Sequence, residues 1–153
     1  MKKILSQVLL FVILFSLLSC GGEPPSAYGL LRDFADSYGA SGKIFSPQIS
    51  EGDEGYIDEN FFVTLYGSEP DFESDFAVLL STSVDRVFEV GVFVTADGTS
   101  RLCAEELCRE RIRLISKMGY GENSLLLRRG DVIFYSTLPD TERAERIWLD
   151  IKI

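Results

Sequence analysis

Histidine is absent from all 153 residues. Without an imidazole the chain can build neither a Ser-His-Asp triad nor a Cys-His pair, and no histidine-ligated zinc site. Basic charge is scarce as well. Fifteen lysines and arginines stand against 24 aspartates and glutamates, a formal net charge of −9. A nucleic-acid partner requires a concentrated basic face, which this composition does not supply. An acidic body is also repelled by anionic lipid, so charge alone would not hold it at a membrane. The three cysteines include no C-x-x-C pair, the usual dithiol redox spacing. One long apolar run is present, from Ile4 to Leu18. As a helix those 15 residues reach roughly 22 Å, against a hydrocarbon core of about 30 Å. That is short for a membrane span.

Lys2 and Lys3 precede this run and the small residue Ser19 follows it. Residues 1–19 therefore read as an export signal. Leu17-Leu18-Ser19-Cys20 resembles the lipobox of bacterial lipoprotein precursors, with leucine at −3, a small residue at −1 and cysteine at +1. The resemblance implies a diacylglyceryl group on the Cys20 sulfur and cleavage just before it. Two acyl chains on one residue give stable attachment where one gives only marginal binding. The expected location is the extracytoplasmic side of the cell membrane, with the lipid anchor as the membrane contact. Residues 20–25 then form the lipidated cysteine and a short Gly- and Pro-rich spacer. Residues 26–153 remain for a single folded domain. Its charge is uneven: residues 20–76 carry 12 acidic and 2 basic side chains, residues 77–153 carry 12 and 11.

Within that domain the apolar spacing predicts a helix from Ser26 to Tyr38, stopped by Gly39. Residues 40–55 look irregular. Asp58 is placed to cap a short helix, "ENFFVTLYG", that ends at Gly67. "DFAVLLS" and "RVFEVGVFVT" read as two antiparallel strands. Thr99 or Ser100 is then expected to cap a helix running to about Met118, with Ala104, Leu107, Cys108, Ile112, Ile115 and Met118 on its apolar stripe. "NSLLLRR" and "DVIFYSTL" form a second hairpin around Gly130. Pro139-Asp140 opens a last helix on Ala144, Ile147, Trp148 and Ile151, although "IWLDIKI" also alternates like a strand. The fold class is α+β: an antiparallel four-stranded sheet in the order strand-strand-helix-strand-strand-helix, with an additional N-terminal helix. Along the second strand Phe88, Val90, Val92 and Val94 point one way, and Val87, Glu89, Gly91 and Phe93 the other. Both faces are partly apolar. Either the N-terminal helices cover the second face or part of it stays open for a partner.

The lipobox, the helix ending "LYG", the "DRVFEVGVF" strand and the long helix after it resemble a family of small uncharacterised lipoproteins. These occur mainly in Gram-positive bacteria and share a domain of unknown function. The resemblance covers about residues 57–153. It places Glu89 where the family's second strand carries an acidic residue, and it implies location and element order but no activity. Gly91 and the two helix cysteines depart from the family pattern.

Several residues are candidates for chemistry. Glu89 could serve as an acid or base if its environment raised its affinity for protons. The plainer expectation pairs it with an arginine from residues 109–113 or 128–129. Glu89, Phe93 and Tyr135 are the candidate binding residues on the open sheet face. Cys103 and Cys108 are a candidate disulfide, weighed against a small core residue and a partly covered thiol. In regular helix their Cα atoms would lie about 8–9 Å apart, beyond the roughly 7 Å reach of a bridge. Glu51, Asp53, Glu54 and Asp58 could gather a cation, although an EF-hand register fails and a solvated acidic loop explains them. Arg129-Gly130-Asp131 spells an adhesion tripeptide that also suits a hairpin turn. No metal or cofactor is expected. The leading expectation is a non-catalytic module that binds an envelope protein or another envelope component. The competing one is a small exported enzyme using carboxylates or a bound cation.

Overall fold

The computed structural model describes residues 25–68, 74–83 and 85–153. The expected leader, Cys20 and the expected spacer through Pro24 lie outside them. Helix α1 spans Ala27–Tyr38, with the Ser26 Oγ accepting from the Gly29 N–H at 3.0 Å. Strand β1, Gly42–Phe45, follows. Helix α2, Glu59–Tyr66, begins where the Asp58 carboxylate accepts from the Phe61 N–H at 2.7 Å. These caps satisfy amide donors that a helix start leaves without intrahelical partners.

Strands β2, Ser74–Ser81, and β3, Glu89–Thr95, form the first hairpin. Helix α3 covers Gly98–Lys117. Its cap is Asp97 rather than Thr99 or Ser100. The Asp97 backbone is extended and its carboxylate accepts from the Ser100 N–H at 2.8 Å, so Ser100 falls inside the first turn. Strands β4, Leu125–Arg129, and β5, Val132–Ser136, make the second hairpin, and helix α4, Thr141–Asp150, closes the order. Ile151 is extended. The helical period therefore prevails through Asp150, because Ala144 and Trp148 are both buried from one helix face.

The sheet has five antiparallel strands in the order β1-β2-β3-β5-β4, not four. The added strand comes from the stretch expected to be irregular. Gly42 pairs with Ser81 and Phe45 with Val78, placing β1 on an edge. Strand β3 also starts later than expected, at Glu89, which leaves Arg86 and Val87 in the preceding loop.

Helices cover both faces of this sheet. Leu79, Val90, Val92 and Phe134 pack under α1 and α4, together with Leu31, Phe34 and Trp148. The Trp148 ring stacks on Phe134 with centroids 4.3 Å apart. On the opposite face Val78, Phe93, Ile133 and Tyr135 pack under α2 and α3, with Phe62, Ala104 and Cys108. The expected alternation of β3 and β5 is present, and each face has its own helical cover. Burying one large apolar side chain contributes roughly 1.5–3 kcal/mol, so neither face would persist uncovered in water. No helix among the described residues is long and apolar enough to cross a membrane.

Candidate functional site

Glu89 begins β3 and points toward α2 and α3, where it is 4 % exposed. Its Oε1 accepts from Arg111 Nε at 2.8 Å and from the Tyr135 hydroxyl at 2.5 Å. Its Oε2 accepts from Arg111 Nη2 at 2.5 Å. The same guanidinium donates through Nη1 to the Leu65 carbonyl at 2.7 Å, reaching the end of α2. The Tyr66 and Tyr135 hydroxyls are 2.8 Å apart. Since Tyr135 donates to Glu89, Tyr66 donates to Tyr135. One chain of bonds thus joins α2, α3, β3 and β5.

Burial, then the Glu89 charge, pushes both phenols well above their ordinary range, so they stay protonated as donors. Burial works to lower Arg111, but the Glu89 hydrogen bonds and charge outweigh it and hold the guanidinium above its ordinary value. Gly91 makes room for this arrangement. A Cβ there would stand 2.1 Å from the Tyr135 ring, so only glycine lets the ring lie across β3.

The three candidate binding residues therefore share one sheet face but present nothing to a partner. Glu89 is spent on Arg111 and Tyr135, and Phe93 and Tyr135 have no exposed surface. The reason is the helical cover. A buried pair with its donors satisfied is costly to break and has no lone pair facing solvent.

The remaining candidates are separated as well. Cys103 is exposed and Cys108 buried, both as free thiols. Regular helix carries them to different sides, and the candidate disulfide is not formed. Burial, then Glu89 and Glu105, raises the Cys108 thiol well above its ordinary value. Glu54 pairs with Lys43 at 2.9 Å and Asp58 caps α2. Among the described residues no group of three or more acidic or cysteine side chains is placed to hold a metal ion. The Arg129-Gly130-Asp131 turn is tied down at both ends. Arg129 Nη1 donates to the Trp148 and Ile151 carbonyls at 2.8 Å each, and Asp131 accepts from Arg101 at 2.8 Å.

A cleft of about 690 Å³ opens at one end of the sheet. It is built from residues 38–41, residues 83 and 85–88, residues 119–123, residues 137–139 and Arg143. The strand registers bring these loops together: Gly42, Ser81, Glu89, Ser136 and Leu125 all lie at this end. Thr137 forms part of the wall, and its Oγ1 accepts from the Glu89 N–H at 2.8 Å. The buried network and the cleft thus share β3's first residue. Gly121, at φ 72°, lets its loop approach, since a Cβ would sit 2.9 Å from Thr137 Cβ. Arg143 is held by donating to the Tyr38 carbonyl at 2.7 Å, with its guanidinium 4.6 Å from the Tyr38 ring centroid. Burial, then the Asp140 charge, raises the Tyr38 phenol, with Arg143 working against them.

This cleft leaves no signal in the sequence. Its residues come from five separated segments and share no period or motif. Arg111 was more legible: with Ala104, Cys108 and Ile115 it occupies one helix face, a charge set inside an apolar stripe. No family model matches the chain, and neither the curated proteins nor the solved structures include a match. The likeness to small lipoproteins rests on the quoted motifs alone.

Proposed function

We propose that this protein is a lipid-anchored, extracytoplasmic binding domain without catalytic activity, and that it captures its ligand in the cleft at the strand ends. The cleft carries this reading. Its volume lies within the roughly 300–1,000 Å³ typical of small-ligand sites, and loops held at the end of a sheet are where binding groups usually sit. The leader and lipobox supply the address and the anchor. Glu89, the carboxylate with the best claim to acid–base work, is occupied by Arg111 and Tyr135, which favours binding over hydrolysis.

The test places a photoreactive side chain at Asn123, on the cleft, or at Arg113, on the outer surface of α3. Crosslinking in intact cells is expected to capture an envelope component from Asn123 and nothing from Arg113. Equal capture from both positions would overturn the cleft as the binding site. Cys20→Ala is expected to move the protein out of the membrane fraction, and its retention there would remove the anchor.

A further inference from the structure

Resting on the cleft reading, we infer that the ligand is a small zwitterion of the amino-acid or short-peptide class. Six of the domain's ten arginines lie within ion-pair distance of an acidic side chain, among them Arg101 with Asp131, Arg111 with Glu89 and Arg128 with Glu105. The two that line the cleft, Arg86 and Arg143, make no ion pair among the described residues. Arg86 is exposed in the β2–β3 loop. The Arg143 guanidinium is oriented by the Tyr38 carbonyl and ring, while its backbone N–H donates to the Asp140 carboxylate at 3.0 Å. In a chain of net charge −9, two uncommitted guanidiniums at one cleft are groups suited to a carboxylate, which arginine binds through paired N–H donors.

Uncommitted charge of the other sign lines the same cleft. Asp85 and Glu122 approach it from the β2–β3 and α3–β4 loops, and neither is ion-paired among the described residues. They disfavour a dianion such as phosphate and offer acceptors to an ammonium group. The C-terminal ends of α1 and α3 also border this cleft, and the negative end of a helix dipole favours a cation. Apolar side chains line the same cleft, Phe88 half-buried and Val87 and Tyr120 exposed. A carboxylate, an ammonium group and an apolar side chain on one small frame satisfy all three demands. A volume near 690 Å³ leaves space for more than one residue of such a ligand.

The experiment titrates the full chain, held in detergent micelles, with dipeptides bearing small, apolar or aromatic side chains, and follows backbone amides by NMR. Shifts are expected at residues 119–123 and Thr137. The N-acetylated and C-amidated forms of a binding dipeptide each lack one charge and should bind about ten-fold more weakly or worse, the cost of a lost charge-assisted hydrogen bond. Arg86→Ala should weaken the zwitterion similarly while leaving the melting temperature unchanged, because Arg86 makes no internal ion pair. If the charge-deleted forms bind equally well, or Arg86→Ala binds as the wild type does, the zwitterion is overturned and the cleft stands. If no dipeptide moves cleft amides while Asn123 still captures a component in cells, the ligand class is likewise overturned alone. Shifts confined to another surface would overturn both.

Discussion

Arg111 meets Glu89 through two parallel bonds, Nε to Oε1 at 2.8 Å and Nη2 to Oε2 at 2.5 Å, beneath a helix and above a strand. The partners come from α3 and β3, and neither side chain is more than 15 % exposed. Removing one member leaves the other buried without its counterion. Replacing Arg111 with Met should therefore cost about 3 kcal/mol or more of unfolding free energy in urea titrations. The double replacement Glu89→Leu with Arg111→Met should recover much of that loss. Losses that simply add across the two sites would show that the pair does not act as a unit.

Gly91 and Tyr135 test the same face by sterics rather than charge. Gly91→Ala drives a methyl group into the Tyr135 ring and should lower stability by roughly 1–3 kcal/mol, visible as a lower thermal midpoint. In a Tyr135→Val background the clash is gone, and the alanine should then cost far less. An equal penalty in both backgrounds would place the clash elsewhere.

Asp75 gives a pH dependence with a defined sign. Its Oδ2 accepts from the Ala27 N–H at 2.7 Å, yet burial outweighs this bond and raises its pKa above the ordinary 3.8. The folded state therefore keeps this proton to higher pH than the unfolded state does. Its contribution to stability is greatest below 3.8 and is lost as pH rises through the raised folded value. Wild type should lose stability relative to Asp75→Asn across that window. A stability difference that stays flat with pH would contradict this.

Thiol labelling separates the three cysteines. Cys103 should react promptly in the native protein, since it is exposed. Cys108 should react only on unfolding, because burial both hides the thiol and disfavours its thiolate. Cys20, acylated as proposed, should give no free sulfhydryl even in denaturant. A third reactive thiol after unfolding would argue against its acylation.

How far the chain could be read in advance depended on the range of the interaction involved. Four helices and four strands were legible because burial against one layer imposes a period of 3.6 or 2 residues on the local sequence. Strand β1 was not, since "GKIF" is too short to display alternation and owes its form to pairing with β2. The pairing of Glu89 with an arginine from residues 109–113 or 128–129 was expected, but the choice of Arg111 followed from helix phase. Its neighbours Arg109 and Arg113 turn outward to Glu105 and Glu110.

The amino-acid order by itself determined the missing imidazole, the acidic balance, the lipobox pattern and most of the secondary structure, all properties of composition or of neighbours within a few turns. Only the tertiary structure decided that both sheet faces are covered, that Glu89, Phe93 and Tyr135 are interior, and that four loops and the start of α4 meet in one cleft. Those outcomes depend on contacts between segments tens of residues apart. Such contacts arise from packing and strand register, which leave no periodic trace in the chain.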